Sequence, residues 1–405
     1  MKGNVPDPLG DRTPQHLTGA RPVMWLLSFL VAGLVVVLTL VHLATAHNIS
    51  YAASTTTQSG VYVGAGDGSL YKLDANRGIL QWRFQTQGRT IPAPAAVAGG
   101  IAYLGSSDNN VYALDAKNGA KLWQFQTGAA VLASPTVNDG VVYLGSSDSN
   151  IYALDAKTGN KLWSYHAGQP NETVTPTTAV VTGGVVYASS SDGISHSYLF
   201  ALDAKTGVEL WRAQVNDQLF TNPRVDDGVI YIASSALDQV GGPSTTDSYV
   251  YAFSTSDGSQ LWRSRKISDV ILAAPTVTSG VVYFGSRNDN IYALAAGNGT
   301  EIWHHNTGGA VFASPQVASS VVYVGISGGR TSNNSIMALN TKDGSMRWQH
   351  TITNYAGANI VVNNNVIYVG SSDSVVYALK ATNGSQVWKY QDSAPFTNAP
   401  LTVAP

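Results

Sequence analysis

The sequence predicts an all-β protein, an eight-bladed β-propeller of four-stranded antiparallel blades preceded by one N-terminal transmembrane helix. A glycine followed four residues later by a tryptophan occurs eight times, at intervals of 40 to 51 residues. A period near 40 residues with strand-like content is typical of a propeller or solenoid. Between these copies lie short β-branched and aromatic runs bounded by Gly, Ser, Asn and Asp, the pattern of strands joined by tight turns. An uncharged apolar stretch before the first copy predicts the helix.

The repeated glycines and tryptophans are predicted to be structural. A glycine at the end of a turn can take positive φ without steric cost. The tryptophans are expected on the outermost strand, away from the central channel, where they join neighbouring blades. The glycines are Gly78, Gly119, Gly159, Gly207, Gly258, Gly299, Gly344 and Gly384, and the tryptophans are Trp82, Trp123, Trp163, Trp211, Trp262, Trp303, Trp348 and Trp388.

The composition agrees with a large β-sheet protein and argues against two classes of function. The 405 residues include 40 glycines, and 12% of the residues are charged. The net charge of −2 does not fit the basic stripe of a nucleic-acid-binding protein, so no nucleic-acid partner is predicted. Because the chain has no cysteine, it has no disulfide, no thiolate metal ligand and no cysteine nucleophile.

The N-terminal residues predict a single-pass membrane protein. Residues 1–22 are polar and contain proline, which predicts a disordered cytoplasmic tail. Residues 23–46 are uncharged and rich in Leu, Val and Ala, and about 20 such residues cross a bilayer core. Arg21 precedes this signal anchor and no Lys or Arg follows until Lys72, so the positive-inside rule places the propeller on the extracytoplasmic side. Residues 47–60 are a Ser/Thr-rich tether.

A cleaved secretory signal is the alternative interpretation of residues 23–46. Residues 44–46, Ala-Thr-Ala, have the small-x-small form of a cleavage site. The apolar stretch is longer than the roughly 7 to 15 residues of a usual signal core, which favours an uncleaved anchor. Both interpretations export the propeller.

Residues 61–405 are predicted to form the eight blades, each with strands A, B, C and D in chain order. In the copy around Gly159, residues 141–144 and 151–154 are the β-branched and aromatic strands B and C. Trp163 lies on strand D, and residues 133–137 precede the others as strand A. Strand B contains a tyrosine in every copy, which is what packing between blades requires.

Either end of the chain can supply strand A of the first blade, because from Val61 onward the chain gives that blade only strands B, C and D. We expect residues 396–403 to close the ring, since a proline there stands three residues before a valine, as Pro94 does before Val97. The alternative is that residues 53–60 provide the strand.

The copies resemble the quinoprotein-type, or PQQ-like, β-propeller repeat, whose hallmark is A-x-D-x-x-T-G-x-x-x-W. The hallmark occurs as A-L-D-A-K-T-G-N-K-L-W at residues 153–163 and A-L-D-A-K-T-G-V-E-L-W at residues 201–211. Weaker copies are A-L-A-A-G-N-G-T-E-I-W and A-L-K-A-T-N-G-S-Q-V-W. The resemblance covers residues 61–405 and implies the propeller fold. The family includes quinone-dependent dehydrogenases and non-catalytic members such as BamB, the lipoprotein of the outer-membrane β-barrel assembly machine.

The non-catalytic, BamB-like branch fits this chain better in length and blade count. The enzymes of the family that this chain resembles are larger than this chain. Many of them carry a disulfide of adjacent cysteines over the quinone and a calcium held by Glu, Asn and Asp. This chain has no cysteine, and of its three glutamates Glu209 and Glu301 stand beside tryptophans. No catalytic, cofactor-binding or metal-ligating residue therefore carries over. No cofactor is predicted, and PQQ is the alternative. The acylated cysteine of a lipoprotein is missing too, which puts a direct role in outer-membrane assembly in doubt.

Three further groups of polar residues have structural interpretations. Aspartates in the B–C turns are expected to cap those turns; they are Asp67, Asp108, Asp148, Asp192 and Asp373. His304 and His305 are adjacent on a strand, so their side chains point to opposite faces and a shared metal site is not expected. The basic cluster of Arg263, Arg265 and Lys266 is interpreted as a solvated strand end, with an anion site as the alternative.

The candidate binding face is built from three insertions that lengthen B–C turns in blades 4, 5 and 7. They cover residues 192–197, 237–247 and 328–334, and B–C turns emerge on the same face as the D–A links between blades. Loops on a rigid scaffold can change without disturbing the core, although neutral drift is also thermodynamically cheap in a surface loop. The polar residues predicted to contact a partner are His196, Asp238, Asp247, Arg330 and Asn334.

The function predicted from these features is that of an exported, membrane-anchored scaffold that binds other envelope proteins. One alternative is a PQQ-binding or quinone-dependent oxidoreductase subunit, a quinoprotein dehydrogenase. The other is a carbohydrate- or matrix-binding module. Enzymatic activity stays open, with a non-catalytic role preferred.

Overall fold

The computed structural model describes residues 59–169, 172–192, 197–215, 217–219, 221–235, 247–328, 334–354, 360–392 and 401–404. These residues form eight antiparallel sheets, which confirms the predicted all-β, eight-bladed propeller. The predicted tail (residues 1–22), transmembrane helix (residues 23–46) and tether (residues 47–60) lie outside the described residues, except for Ser59 and Gly60. Within the described ranges no helix is long and apolar enough to cross a membrane.

The first four blades contain seventeen strands among the described residues, four each in blades 1 to 3 and five in blade 4. Blade 1 is built from β1 (Gly60–Gly64), β2 (Ser69–Asp74), β3 (Leu80–Gln85) and the last strand of the chain, β35 (Leu401–Ala404). Blade 2 is built from β4 (Ala96–Ala98), β5 (Ile101–Gly105), β6 (Asn110–Asp115) and β7 (Lys121–Gln126). Blade 3 is built from β8 (Thr136–Asn138), β9 (Val141–Gly145), β10 (Asn150–Asp155) and β11 (Lys161–His166). Blade 4 is built from β12 (Thr175–Pro176), β13 (Val180–Thr182), β14 (Val185–Ser191), β15 (Ser197–Asp203) and β16 (Glu209–Val215).

The other four blades repeat this order. Blade 5 is built from β17 (Arg224–Asp226), β18 (Val229–Ser235), β19 (Asp247–Ser254), β20 (Gln260–Arg263) and β21 (Ile267–Ser268). Blade 6 is built from β22 (Thr276–Thr278), β23 (Val281–Gly285), β24 (Asn290–Ala295) and β25 (Glu301–Asn306). Blade 7 is built from β26 (Ala310–Val311), β27 (Gln316–Ala318), β28 (Val321–Ser327), β29 (Ser335–Asn340) and β30 (Met346–Thr351). Blade 8 is built from β31 (Ile360–Asn363), β32 (Val366–Ser371), β33 (Val375–Lys380) and β34 (Gln386–Gln391).

Strands B and C are buried on both faces, because each blade lies between two others. In blade 3, four of the five residues of β9 and four of the six residues of β10 are buried. Strands buried on both faces have nearly continuous apolar sequences, as Val-Val-Tyr-Leu in β9 shows. In β11 only Trp163 is buried, and its neighbours Leu162 and Ser164 are exposed. The outer strand thus contributes one large side chain to the core.

The A strands are the innermost strands and surround a central channel. Each A strand contacts the A strands of both neighbouring blades, and this cycle of contacts closes through β35, which contacts β31 and β4. The predicted closure by the C-terminal segment is confirmed, since β35 pairs with β1 from Gly60 opposite Ala404 to Val63 opposite Leu401. Of the predicted segment, residues 401–403 are described and belong to this strand.

Three blades depart from the prediction of four uninterrupted strands. In blades 4 and 7 two short inner segments pair with one B strand, and in blade 5 two outer segments pair with β19. The B strands of these blades have seven residues instead of the five of β5 and β9. Side chains enter the ladder at the interruptions: Thr177 Oγ1 accepts a hydrogen bond from the Ser189 N–H (3.2 Å), and Ser264 Oγ accepts one from the Val250 N–H (3.0 Å).

Candidate functional site

Each repeated tryptophan packs on the repeated glycine of the following blade. Gly207 has a φ of +73°, and a Cβ added there would lie 2.6 Å from Cδ2 of Trp163 in the preceding blade. The same contact joins the two ends of the ring, because a Cβ at Gly78 would lie 2.5 Å from Cε3 of Trp388. All eight glycines have positive φ and contact the preceding tryptophan in this way. The sequence identified both residues but not that each glycine contacts the tryptophan of the copy before its own.

The tryptophans also donate hydrogen bonds across the seams between blades. Trp163 Nε1–H donates to the Ala204 carbonyl oxygen (3.0 Å), which also accepts from the Tyr143 hydroxyl (3.1 Å). The rings of Trp163 and Tyr143 contact each other with centroids 5.9 Å apart. Each of the other seven indoles donates to the equivalent carbonyl, at 2.8 to 3.2 Å. The indoles lie in the seams at the outer strands, where a ligand in the channel does not reach them.

Three of the five predicted B–C turn aspartates, Asp67, Asp108 and Asp148, cap their turns. Asp148 Oδ1 accepts from the Asn150 N–H (3.0 Å), and its Oδ2 accepts from the Gly128 N–H and the Tyr152 hydroxyl (both 2.7 Å). Asp108 makes the same set of bonds in blade 2, and Asp67 Oδ1 accepts from the Ser69 N–H (2.9 Å). In blade 8, Asp373 does not cap its turn in this way: its Oδ2 accepts from the Thr353 hydroxyl (2.6 Å), and its buried Oδ1 has no hydrogen-bond partner among the described residues. Asp192, the remaining member, lines a cavity considered below.

The basic cluster after Trp262 is dispersed among separate partners. The Arg263 guanidinium stacks on the Tyr249 ring at 4.4 Å from its centroid. Arg265 forms an ion pair with Glu301, and Lys266 forms one with Asp247 at 2.6 Å. These contacts favour the interpretation as a strand end over a shared anion site.

The predicted histidine pair does not share a site. His304 is exposed, and its Nδ1 lies 2.8 Å from Glu301 Oε1. His305 is half-buried, and burial, followed by the neighbouring His304, lowers the pKa of its imidazole. Among the residues that the structure describes, no three His, Asp or Glu side chains are placed to hold a metal ion.

Two of the five polar residues predicted for the binding face are described, and both lie at the bases of their insertions. Asp247 is the first residue of β19 and pairs with Lys266. Asn334 Oδ1 accepts a hydrogen bond from the Gly328 N–H (3.1 Å), which joins the two ends of the blade 7 insertion. His196, Asp238 and Arg330 lie outside the described residues.

A cavity of about 510 Å³ opens on the face that carries the B–C turns. We call it the mouth cavity. It lies at the inner edges of blades 2 to 5 and is lined by Pro92–Pro94, Leu132–Ser134, Thr173, Thr175–Thr178, Ser191, Asp192, Leu219 and Asn222. Leu132 is 46% exposed at its rim. Leu272, 43% exposed, occupies the equivalent position in blade 6, three residues before the proline of an A strand.

A second cavity of about 290 Å³ lies in the channel itself. This channel cavity shares Pro94, Ser134, Thr178 and Asn222 with the mouth cavity, so the two are continuous. Its other lining residues are Arg224, Ser314, Gln316, Ile360 and Val361.

Eight equivalent A-strand positions, each paired with the tyrosine of its B strand, form what we call the inner ring. They are Ala96, Thr136, Val180, Arg224, Thr276, Gln316, Val361 and Thr402. Three threonine hydroxyls of the ring donate to backbone carbonyls of the next A strand, at 2.5 to 2.6 Å. Arg224 is the one charged member. Arg224 is not among the residues predicted from the sequence, although its position before a Val-Asp-Asp-Gly turn repeats the spacing of Thr136.

The residues present do not fit a quinone cofactor. The described lining of the mouth and channel cavities contains no aromatic ring on which a planar quinone could stack, and a single cation, Arg224. The described part of the chain also lacks a three-ligand cluster for an accompanying metal ion. We therefore derive no chemistry through such a group.

Comparison with known proteins gives a family and a fold. The family profile described as outer membrane protein assembly factor BamB matches residues 50–124, 66–234, 195–263 and 246–402. No protein in the comparison with curated sequences matches the chain.

Solved structures share the fold at low sequence identity. BamB from Moraxella catarrhalis is 20% identical, with a TM-score of 0.61, and the match covers 79% of this chain and 90% of that one. The computationally designed Ika8 protein is 17% identical, with a TM-score of 0.64, over 80% and 96% of the two chains. Quinohemoprotein alcohol dehydrogenase from Comamonas testosteroni is 14% identical, with a TM-score of 0.64, over 85% and 71%. Both an assembly factor and an oxidoreductase thus share the fold, which alone does not choose a function.

Proposed function

The chain belongs to the family of the outer membrane protein assembly factor BamB, and from this premise we propose that it is a non-catalytic scaffold that binds another protein of the cell envelope. The partner docks on the face that carries the B–C turns and the mouth cavity. The single observation that carries this proposal is the exposed leucine at the rim of that cavity. Protein-binding sites combine exposed apolar side chains with a polar rim.

The rim of the mouth cavity has this composition. Leu132 lines the cavity together with two apolar residues, Pro92 and Pro94, and with Thr175 and Thr177, which carry hydroxyls. The D–A links that carry these residues are fixed by the channel wall, where the Ser134 N–H donates to Thr178 Oγ1 (3.0 Å). A partner therefore meets a preorganised surface and loses little conformational entropy from the scaffold on binding.

The long strands of blades 4, 5 and 7 support the same face. In blade 4, strand B ends at Ser191 and strand C begins at Ser197. In blade 7, strand B ends at Ser327 and strand C begins at Ser335. Their seven-residue B strands are longer than the B strands of blades 1, 2, 3, 6 and 8, which have five or six residues.

A charge placed on the rim tests the docking face. Leu132→Glu puts a carboxylate into the proposed contact, where burial of an unpaired charge is costly. Leu162→Glu is the matched control, because Leu162 is 52% exposed but lies on the outer strand of blade 3. Purified full-length chains carrying a photo-crosslinker at Ser134 are incubated with envelope extract from the source cells, and crosslinked partners are identified by mass spectrometry.

The expected result is a crosslinked envelope protein whose yield falls at least fivefold in the Leu132→Glu chain and is unchanged in the Leu162→Glu chain. Replacing residues 237–247 by a two-residue turn should reduce the same crosslink. Equal yields from the two leucine variants would exclude the mouth as the docking face. Crosslinking to periplasmic sugars would favour the carbohydrate-binding alternative. If no envelope protein is crosslinked, the scaffold role is excluded.

We also propose that residues 23–46 anchor the chain in the membrane with the propeller outside the cytoplasm. This proposal is supported by the length of the uncharged stretch and by Arg21 on its N-terminal side. The expected result is that the full-length chain stays in the membrane fraction after a carbonate wash and is digested by protease added to spheroplasts. Release of a soluble form that begins after Ala46 would instead establish signal cleavage.

A further inference from the structure

Arg224 places one positive charge inside the channel. It occupies the inner ring, whose other seven members are neutral, and it lines the channel cavity together with Gln316 from blade 7 and Val361 from blade 8. The side chain is half-buried. The charge is therefore held by the wall of the channel and not by the outer surface of the propeller.

The Arg224 guanidinium has no counter-charge among the residues that the structure describes. In the part of the chain that the structure describes, no carboxylate lines the channel cavity, and Arg224 takes part in none of the ion pairs found there. Burial lowers the pKa of its guanidinium, and no neighbouring acid offsets this effect. An uncompensated charge away from bulk water is costly unless an ion of opposite sign binds beside it.

The neighbouring groups favour a small, singly charged anion. Gln316 and Asn222 carry amide N–H₂ groups, which can donate, and Ser134 and Ser314 carry hydroxyls. The threonine hydroxyls of the inner ring are already used by the next A strand. One guanidinium with neutral donors balances one carboxylate, whereas a phosphate monoester carries about −1.5 to −2 charges. The flat fork of arginine also matches a carboxylate in bidentate geometry.

A ligand can reach this position from the B–C turn face. The mouth cavity and the channel cavity share four lining residues, so a chain or molecule entering at Leu132 continues towards Arg224. We propose that the channel is a carboxylate-binding site in which Arg224 is the recognition residue and Gln316 a second donor. The carboxylate belongs either to a small organic acid or to the C-terminus of an extended peptide. This site goes beyond the scaffold role and does not depend on it.

The test measures carboxylate binding to the full-length chain by calorimetry in chloride-free buffer. The probes are acetate, chloride and two otherwise identical five-residue Gly-Ser peptides, one with a free C-terminal carboxylate and one amidated. The variants are Arg224→Gln, which removes the charge, and Arg224→Lys, which keeps the charge but loses the fork. Arg287→Gln is the matched control, because it removes one exposed arginine from a B–C turn.

Binding of acetate or of the free peptide should weaken at least tenfold in Arg224→Gln, severalfold in Arg224→Lys and not at all in Arg287→Gln. Binding of acetate but not of the peptides identifies a small acid as the ligand, and preference for the free over the amidated peptide identifies a chain terminus. Should Arg224→Gln fail to fold, the Arg224→Lys result decides. The proposal is wrong if no probe binds the unaltered chain, if both Arg224 variants bind as it does, or if chloride binds with equal affinity.

Discussion

One backbone carbonyl oxygen in each blade accepts a hydrogen bond from the tryptophan of the preceding blade. In blade 4 this is the carbonyl of Ala204, which accepts from both Trp163 and Tyr143, as its two lone pairs allow. Ala204 follows the aspartate of the repeated hallmark, and Gly207 receives the indole ring three residues later. The spacing of the hallmark is thus set by a contact with the neighbouring copy.

Truncation of one indole should destabilise the whole ring. Trp163→Ala removes a buried aromatic side chain and leaves the Ala204 carbonyl with one donor fewer, and such losses cost about 3 to 5 kcal/mol. Gly207→Ala should cost about 1 kcal/mol or more, because its positive φ and the indole face both oppose a Cβ. Urea unfolding monitored by circular dichroism measures both changes.

The neighbouring Leu162 provides the control for this prediction. Leu162→Ala also truncates an apolar side chain on the same strand, but at an exposed position, so the free energy of unfolding should change by less than about 0.5 kcal/mol. Crosslinking of the envelope partner should be unchanged for the folded Trp163→Ala chain. A Trp163→Ala chain as stable as the Leu162→Ala chain would exclude the structural role.

Lys72 fits into its blade through a contact with a neighbouring strand that a pattern of single residues does not predict. The position opposite each tryptophan is alanine in seven blades and Lys72 in blade 1. Lys72 is buried, and its Nζ donates to the Ala116 carbonyl oxygen at 2.7 Å. Its side chain fits because Gly60 has no Cβ, which would lie 2.3 Å from Lys72 Cε. These two residues belong to paired strands, so only the register brings them together.

At the scale of the element, the C–D turn is capped in two different ways around the ring. In blade 3, Asp155 at the start of the turn accepts from the Thr158 N–H (2.8 Å) and hydroxyl (2.7 Å). In blade 6 the cap comes from Asn298, one residue before the glycine, whose Oδ1 accepts from the Thr300 N–H (3.0 Å) and hydroxyl (2.8 Å). Both solutions leave the glycine free to take positive φ, which explains why the weaker hallmark copies still form blades.

The charged caps should make the propeller sensitive to acid. The hydroxyl and N–H of Thr158 hold the pKa of Asp155 below its usual value, and Thr206 and Ser345 do the same for Asp203 and Asp343. A carboxyl whose pKa is lower in the folded state stabilises that state above its unfolded pKa, and the contribution is lost as pH falls through the folded pKa. The melting temperature should therefore decrease below about pH 4.

A pair of reciprocal substitutions isolates this effect. Asp155→Asn keeps the acceptor oxygen and removes the titrating group, so the decrease in melting temperature between pH 5 and pH 3 should be smaller than in the unaltered chain. Asn298→Asp introduces a carboxylate with the same two partners, so the decrease should be larger. Thermal melts at each pH measure both. Parallel curves for all three chains would show that other groups control the acid response.

At the scale of the whole molecule, the sequence predicts the propeller architecture more completely than it predicts the two cavities. Local signals such as Gly159 and Trp163 recur in every copy, so their pattern specifies blade number, strand order and the closing segment. The two cavities depend on residues that differ between copies. Arg224 stands at a position that the other seven blades fill with neutral side chains, and Leu132 has a leucine counterpart in blade 6, Leu272. The closed ring brings Leu132 and Arg224 to one opening. The repeated residues predict the fold, whereas the candidate site consists of residues that differ between the copies.

Closure of the ring by the C-terminal strand gives the last prediction. Deleting residues 394–405 removes β35, exposes the edge of β1 from Gly60 to Val63, and uncovers the site of Leu401, which is 1% exposed. Loss of a fully buried leucine alone costs about 1.5 to 3 kcal/mol, and an open edge strand promotes aggregation. We expect a lower melting temperature and light scattering on heating. Deleting residues 53–58, the rival source of the strand, should change neither, because β35 already occupies that edge. The opposite pair of results would contradict closure by the C-terminus.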